Sequence, residues 1–391
     1  MTDYLLSSLP AGPFQRLAAL LGDVQPGKPP INLSVGDPAG AVPEFVRAAM
    51  SDKAASMGNY PPITGTPEWR AAAAKWLNTR FDLAGKIDAD KNVLPLAGTR
   101  EGLFSSLFPL MPLTKAGAKP IVAMPNPFYQ CYAAAAISSG AEPLYVAAIA
   151  LSGFLPDYTA LPEGTLKRLV AVYICSPSNP EGAVADSAYW KKLFALADQH
   201  DFIVLADECY ADIYFGEAPA SALYLRREQN FSRLLTFHSL SKRSGLPGLR
   251  SGMVAGDAKL IEKLRAFRNV AGPQTPGPVL AAATAAWGDE AHVTEGRKNY
   301  AAKMDAAERI LGNRMQKPGG GFFLWLPVGN GEETALELWR QEGVKVLPGS
   351  YMGRGETQAN PGFSYVRVAL VSDLSTIVTA LERLRAFLDR R

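Results

Sequence analysis

Between residues 119 and 255 the chain switches back and forth between two hydrophobic periods, and this alternation limits the possible folds more than any other feature. Short apolar runs rich in β-branched residues occur at Lys119–Ala123, Arg168–Cys175, Phe202–Ala206, Arg233–Phe237 and Met253–Ala255. Unbroken apolar runs of this length suit parallel strands that are covered on both faces. Amphipathic stretches with helical spacing lie around them, at Arg100–Leu110, Phe128–Ser139, Ser187–His200 and Lys259–Arg268. Strand and helix in alternation predict an α/β large domain, with a mostly parallel sheet flanked by helices. From about Gly277 the texture changes. A long helical region over Val279–Leu311 precedes the apolar segments Gly321–Leu326 and Tyr365–Leu370, and a last helix covers Leu374–Asp389. This predicts a smaller α+β domain. Proline- and glycine-rich stretches at Gln25–Pro30 and Gly272–Pro278 mark hinges. The expected division is an N-terminal arm with part of the small domain (1–43), a large domain (44–278) and a small C-terminal domain (279–391).

Composition narrows the function. Lys+Arg 40 against Asp+Glu 37 leaves a net charge of +3, with no long basic run, which argues against nucleic acid or an anionic membrane as partner. Cys131, Cys175 and Cys209 are odd in number and far apart, and His200, His238 and His292 are equally scattered. Neither set has metal-ligand or disulfide spacing, so no metal is expected, all six read as structural, and a reducing compartment is favoured. The start MTDYLLSSLPAGPFQRL lacks the charged and apolar regions of a secretory signal, and no stretch approaches a membrane span. The expectation is a cytoplasmic enzyme.

In open α/β sheets, ligands collect beyond the carboxyl ends of the strands. The residues found there are Gly98-Thr99-Arg100, Tyr129, Asn179-Pro180-Glu181-Gly182, Asp207-Glu208-Cys209-Tyr210 and Ser239-Leu240-Ser241-Lys242, with Arg250 eight residues further on. Taken singly, each is an ordinary turn, cap or surface group. Together, in one chain order and each after an apolar run, they form a series.

That series resembles the class I/II aminotransferases of pyridoxal-5′-phosphate (PLP) fold type I, from Gly36-Asp37-Pro38 to Arg367. The resemblance implies PLP as cofactor, and Lys242 as the lysine that carries it and moves a proton once substrate has displaced it. Asp207 corresponds to the carboxylate that keeps the pyridine nitrogen protonated. Tyr210 and Asn179 correspond to the partners of the 3′-oxygen, and Tyr129 to the aromatic that stacks on the ring. Gly98, Thr99 and Arg100 open a helix whose free N–H groups suit a phosphate, with Ser239, Ser241 and Arg250 completing the cup. Tyr60 corresponds to a tyrosine that reaches the phosphate from a neighbouring subunit, which implies a homodimer. Arg367 matches the arginine that grips the substrate α-carboxylate, with Gly36 as a backbone donor opposite and Asn179 beside it. Amino acids and 2-oxo acids, with glutamate and 2-oxoglutarate foremost, are the implied substrates.

Within this family, Ser239–Asp257, Ala285–Val293, Gly320–Pro327 and Val346–Tyr351 resemble the N-succinyldiaminopimelate aminotransferases of bacterial lysine biosynthesis. Val270–Pro276 departs from that pattern and leaves the side-chain specificity open. Arg16, Arg100 and Arg243 are the candidate readers of a substrate's distal carboxylates. Other readings are an aminotransferase for aspartate, alanine, methionine or aromatic amino acids, a PLP carbon–sulfur lyase, or a PLP-fold transcriptional sensor. The last expects a DNA-binding helix-turn-helix, and only about thirty residues precede Gly36.

Overall fold

The structure is a computed structural model that describes residues 9, 11–38 and 40–391. Its strands, in chain order, are β1 (Ile31–Asn32), β2 (Val93–Leu96), β3 (Ile121–Asn126), β4 (Glu142–Ala147), β5 (Leu169–Cys175), β6 (Ile203–Asp207), β7 (Leu234–Ser239), β8 (Gly252–Gly256), β9 (Phe323–Pro327), β10 (Val344–Lys345), β11 (Leu347–Pro348) and β12 (Tyr365–Ala369). Seven of them form the central sheet in the order β2-β8-β7-β6-β5-β3-β4. Every residue of β3, β5 and β7 is buried, as their unbroken apolar runs require. Along β5, successive side chains go to opposite faces. Val172 and Ile174 join a core with Trp69, Trp190 and Phe194, whereas Ala171 and Tyr173 join one with Leu103, Tyr132 and Ile261. Helices Pro67–Arg80 and Ser187–His200 supply the first face; Thr99–Ser105, Gln130–Ser138 and Ala258–Val270 supply the second.

The sheet is mostly parallel, with one reversal that the sequence pattern does not reveal. Met253–Ala255 reads as another parallel strand, yet β8 runs antiparallel to both β7 and β2. A parallel return needs a crossover that spans the sheet. The link between Ser239 and Gly252 holds only the one-turn helix Leu240–Arg243 and a short turn at Pro247–Leu249, so the chain folds straight back. Strand β4 is absent from the sequence reading, and β2 is implied there only by the Gly98-Thr99-Arg100 that follows it. β2 contains Pro95, which an edge strand accommodates because the missing N–H need not pair. β4 is the opposite edge and only half-buried, so its apolar signal is diluted.

The region read as one helix over Val279–Leu311 is two, Gly277–Gly288 and Ala291–Leu311. At the break, Asp289 Oδ1 accepts the His292 N–H at 3.0 Å. The expected boundary at 278/279 falls inside the first of these helices. Its Leu280, Ala283, Ala286 and Trp287 pack in the large-sheet core with Trp69 and Trp190. Helices Ala291–Leu311 and Leu374–Asp389 instead cover the antiparallel sheet β11-β12-β9, with Met304, Leu311, Leu324, Val366, Ile377 and Leu381 at the centre. The N-terminal arm joins this second body through β1, which pairs in parallel with β10.

Arg243, a candidate reader of distal carboxylates, proves to be part of the core and is removed from that role. It is buried against the Trp76 and Trp287 rings, at 5.2 and 5.3 Å. Its Nε lies 3.2 Å from Asp212, and it donates to the carbonyls of Ala286 and Asp289 and to the Glu290 carboxylate. Asp212 is shared with Arg80, at 2.8 Å. Both terminal nitrogens are engaged in hydrogen bonds and the buried Nε is turned to Asp212, so the guanidinium serves the core rather than a ligand. Breaking a buried pair by removing one partner is strongly destabilising. Arg243→Ala should therefore lower the unfolding free energy by about 3 kcal/mol, the low end of that range because Asp212 keeps Arg80. Denaturant titration checks this; a loss within about 0.5 kcal/mol, the scale of ordinary surface changes, would refute the structural role.

Candidate active site

Lys242 sits at the third position of the short helix that follows β7. Ser239 caps that helix by accepting the Ser241 N–H at 3.1 Å, and both serines are buried. The Lys242 amine donates to the Gly36 carbonyl at 2.8 Å and faces the rings of Phe322 and Tyr210, at 5.2 and 5.9 Å. Among the described residues it has no ion-pair partner. Burial pushes its pKa below the ordinary lysine range, and Arg367 adds to that push. A desolvated amine of this kind is a better nucleophile near neutrality. Gly36 is tightly placed: a Cβ there would fall 2.4 Å from the Phe323 ring.

Asp207 ends β6 and is buried. It accepts from the Tyr132 hydroxyl at 2.7 Å and from the Cys209 N–H at 3.3 Å, with Cys209 Sγ at 2.6 Å. Burial raises its pKa, and these donors act against the rise. Tyr129, at the start of helix Gln130–Ser138, packs edge-on to Tyr132 and accepts from Arg100. Its phenol is pushed up to about 12 by burial. Arg100, exposed, forms no ion pair with a carboxylate among the described residues. Gly98, at φ 88°, opens helix Thr99–Ser105, and a Cβ there would lie 2.3 Å from Arg250 Nη2. The lack of a side chain lets the Arg250 guanidinium close over the helix start, where free N–H groups gather.

On the other side, Arg367 on β12 is buried. It donates to Asn179 Oδ1 at 3.0 Å and to the Ser34 carbonyl at 2.7 Å, and lies over the Phe323 ring at 4.2 Å. Its Nε has no hydrogen-bond partner. Burial lowers its pKa to about 10. Tyr210 packs edge-on against Phe322 and Phe323, and its phenol is pushed up by burial. The strand-end residues named from the sequence thus gather at one place, where the arm, the large sheet and the small domain meet. Tyr60 does not join them: it is 95% exposed and touches none of them within its own chain.

The sequence reading missed Tyr132, Phe323 and Ser34, and it assigned Cys209 a purely structural place although its thiol meets Asp207. Tyr132 was detectable, since three residues after Tyr129 on a helix is the same face. Phe323 and Ser34 carry no such local signal.

The family model "Aminotransferase class I and II" matches residues 28–384. The chain belongs to that family. It is 30% identical to the LL-diaminopimelate aminotransferase of Syntrophobacter fumaroxidans, over 97% of each chain. Among solved structures it is similar to an aminotransferase from Neisseria meningitidis, at 37% identity and a TM-score of 0.93, covering 99% of this chain and 100% of the other. A probable N-succinyldiaminopimelate aminotransferase from Thermus thermophilus matches at 26% identity and a TM-score of 0.83, covering 96% of this chain and 100% of the other.

The fold is therefore PLP fold type I, and the protein is a PLP-dependent transaminase. The residues present suit the cofactor. Arg250 over the helix start offers an anion seat, Asp207 keeps acceptor capacity for a protonated ring nitrogen, and Lys242 is a buried amine with no ion-pair partner among the described residues. When bound, PLP supplies an electron sink for the bond that breaks at the substrate's α-carbon. Arg367, with an unpaired Nε, can still take a carboxylate. Reducing the PLP-loaded protein with borohydride should fix the cofactor on the peptide containing Lys242. Mass spectrometry showing the label on another lysine would overturn the assignment.

Proposed function

We propose that the site residues divide the work as their positions suggest. Lys242 carries the cofactor and then moves the proton at the substrate α-carbon. Asp207 faces the pyridine nitrogen, Asn179 and Tyr210 the 3′-oxygen, and Tyr129 the ring. Gly98, Thr99 and Arg100 offer backbone N–H groups to the phosphate, together with Ser239, Ser241 and Arg250. Arg367 grips the α-carboxylate, opposite Gly36.

In this reading the enzyme transfers an amino group between glutamate and N-succinyl-2-amino-6-ketopimelate, in two half-reactions, within lysine and diaminopimelate biosynthesis. The observation that carries this reading is the Arg100 guanidinium. It stands beside Tyr129 with a phenol as partner and, among the described residues, no carboxylate pairing it. The far end of the succinylated substrate bears carboxylates and no ammonium, so it needs an unneutralised cation. Arg16 suits the role less, because it lies 3.7 Å from Glu332 while covering the Tyr351 ring. The Thermus thermophilus relative supports the same substrate. The Syntrophobacter relative favours a second reading, free LL-diaminopimelate, whose far end also carries an ammonium.

Comparing kcat/KM for the succinylated and free compounds separates these readings. Arg100→Ala should lower the rate with the succinylated substrate about tenfold or more and affect glutamate less, on the scale of one charge-assisted hydrogen bond. Arg367→Ala should damage every substrate alike, by roughly 2–5 kcal/mol. Faster turnover of free LL-diaminopimelate selects the second reading. Activity confined to small aliphatic or aromatic amino acids would refute both and leave the transaminase intact.

The same reading places two chains at each pair of sites. Tyr60, exposed on its own chain, then completes the phosphate cup of a partner, as expected for a two-fold dimer. Light scattering at assay concentration should give a dimer; an active monomer would contradict this.

A further inference from the structure

The Asp207 carboxylate is held by its own chain in an asymmetric way. One oxygen, Oδ1, receives the Cys209 N–H at 3.3 Å and has the Cys209 thiol at 2.6 Å. The other, Oδ2, receives only the Tyr132 hydroxyl, at 2.7 Å. An ionised carboxylate has about four acceptor positions. The described residues fill three of them, and the fourth lies on the oxygen that Tyr132 holds.

Both donors are braced. The Tyr132 ring lies flat against Tyr173 of β5, with centroids 4.3 Å apart and planes 7° apart. The Tyr173 hydroxyl donates in turn to the Leu103 carbonyl at 2.6 Å, inside the helix that Gly98 opens. Cys209 Sγ lies 3.9 Å from Thr99 Oγ1 at the start of that same helix. Two bridges therefore run from the carboxylate to the helix whose N-terminus suits a phosphate. Burial pushes the Tyr132 phenol and the Cys209 thiol well above their ordinary ranges, so both stay protonated and able to donate to the carboxylate.

We propose that Tyr132 and Cys209 are positioning residues that keep Asp207 ionised and turn its one open acceptor position, on the Tyr132-bound oxygen, toward the pyridine nitrogen of PLP. The proposal rests on the reading that Asp207 faces that nitrogen. It does not depend on which amino acid is the substrate. Without these donors, burial is opposed mainly by the nearby Lys242, the carboxyl is protonated more readily, and it becomes a weaker partner for a ring proton. A protonated ring opposes protonation of the nitrogen that Lys242 contributes. Losing the ring proton therefore raises the pH at which that nitrogen titrates.

The test is a pH titration of the visible absorbance of the resting holoenzyme, without substrate, together with the PLP dissociation constant and kcat and KM. Tyr132→Phe keeps the ring and its stacking. It should raise the titration midpoint by about one pH unit, a tenfold change in proton affinity. It should also weaken PLP binding about tenfold, as expected for one hydrogen bond to a charged group, and lower kcat with little change in KM. Cys209→Ala should shift the midpoint the same way, and Cys209→Ser, which restores a donor, should return it toward wild type. Asp207→Asn separates the layers. If it shifts the titration while the folded Tyr132 and Cys209 variants stay within about 0.2 pH unit of wild type, the positioning role is overturned and the Asp207 reading stands. If Asp207→Asn itself leaves the titration unchanged, both are overturned. Should Tyr132→Phe fail to fold by thermal melting, the Cys209→Ala and Cys209→Ser pair decides in the same way.

Discussion

A buried arginine that meets only neutral acceptors within its own chain is the constraint around which this molecule is arranged. Arg367 is 4% exposed, and the groups that satisfy it are the Asn179 amide oxygen, the Ser34 carbonyl and the face of Phe323. Burying a charge on such terms is costly, and the lowered pKa of Arg367 reflects that cost. The three partners come from three parts of the chain: the turn after β5, the N-terminal arm and β9. To satisfy one guanidinium, all three must close on the same point. In the proposed reading a substrate carboxylate supplies the missing counter-charge, so that affinity for the acid group and the joining of the chain's parts come from one interaction.

The large sheet does the complementary work at the other end of the site. Strands β5, β6 and β7 are parallel, so their carboxyl ends emerge along one edge. Asn179, Asp207 and Lys242 follow them and become neighbours despite wide spacing in the chain. The reversal at β8 brings Arg250 back beside β7 and against the helix that Gly98 opens, which puts a guanidinium where helix N–H groups are free. Buried acid and buried amine are each shifted toward neutrality by the same desolvation, upward for Asp207 and downward for Lys242. In the proposed reading, Asp207 serves the cofactor as acceptor and Lys242 as nucleophile.

Much of this was legible in the chain itself. The runs at Arg168–Cys175 and Phe202–Ala206 could hardly be anything but covered strands, and the polar residues just beyond them had to stand at a sheet edge. That reasoning found Asn179, Asp207 and Lys242 without coordinates, because strand period and strand-end position are local properties; Arg367, in the middle of β12, was found through the family resemblance. Edge strands were harder to see: β2 carries a proline and β4 is half-exposed, and both facts weaken the only signal available. Tyr132 lay one helical turn from a residue already singled out, but its hydrogen bond to Asp207 depends on how two helices and a strand pack.

The sequence by itself determined the layered α/β class, the order of the strand-end residues and the family, since each is written in short-range pattern and spacing. Tertiary structure alone decided three things. It ran β8 antiparallel, because the link before it is too short to cross the sheet. It closed Arg243 into an ion-paired core beside two tryptophans, whereas Arg100, equally charged and equally near a strand end, meets no carboxylate among the described residues. It also set Cys209 against Asp207 and left Tyr60 in the open. Each outcome depends on which distant groups share a small volume, and burial, charge pairing and acceptor count are settled only when that volume is filled.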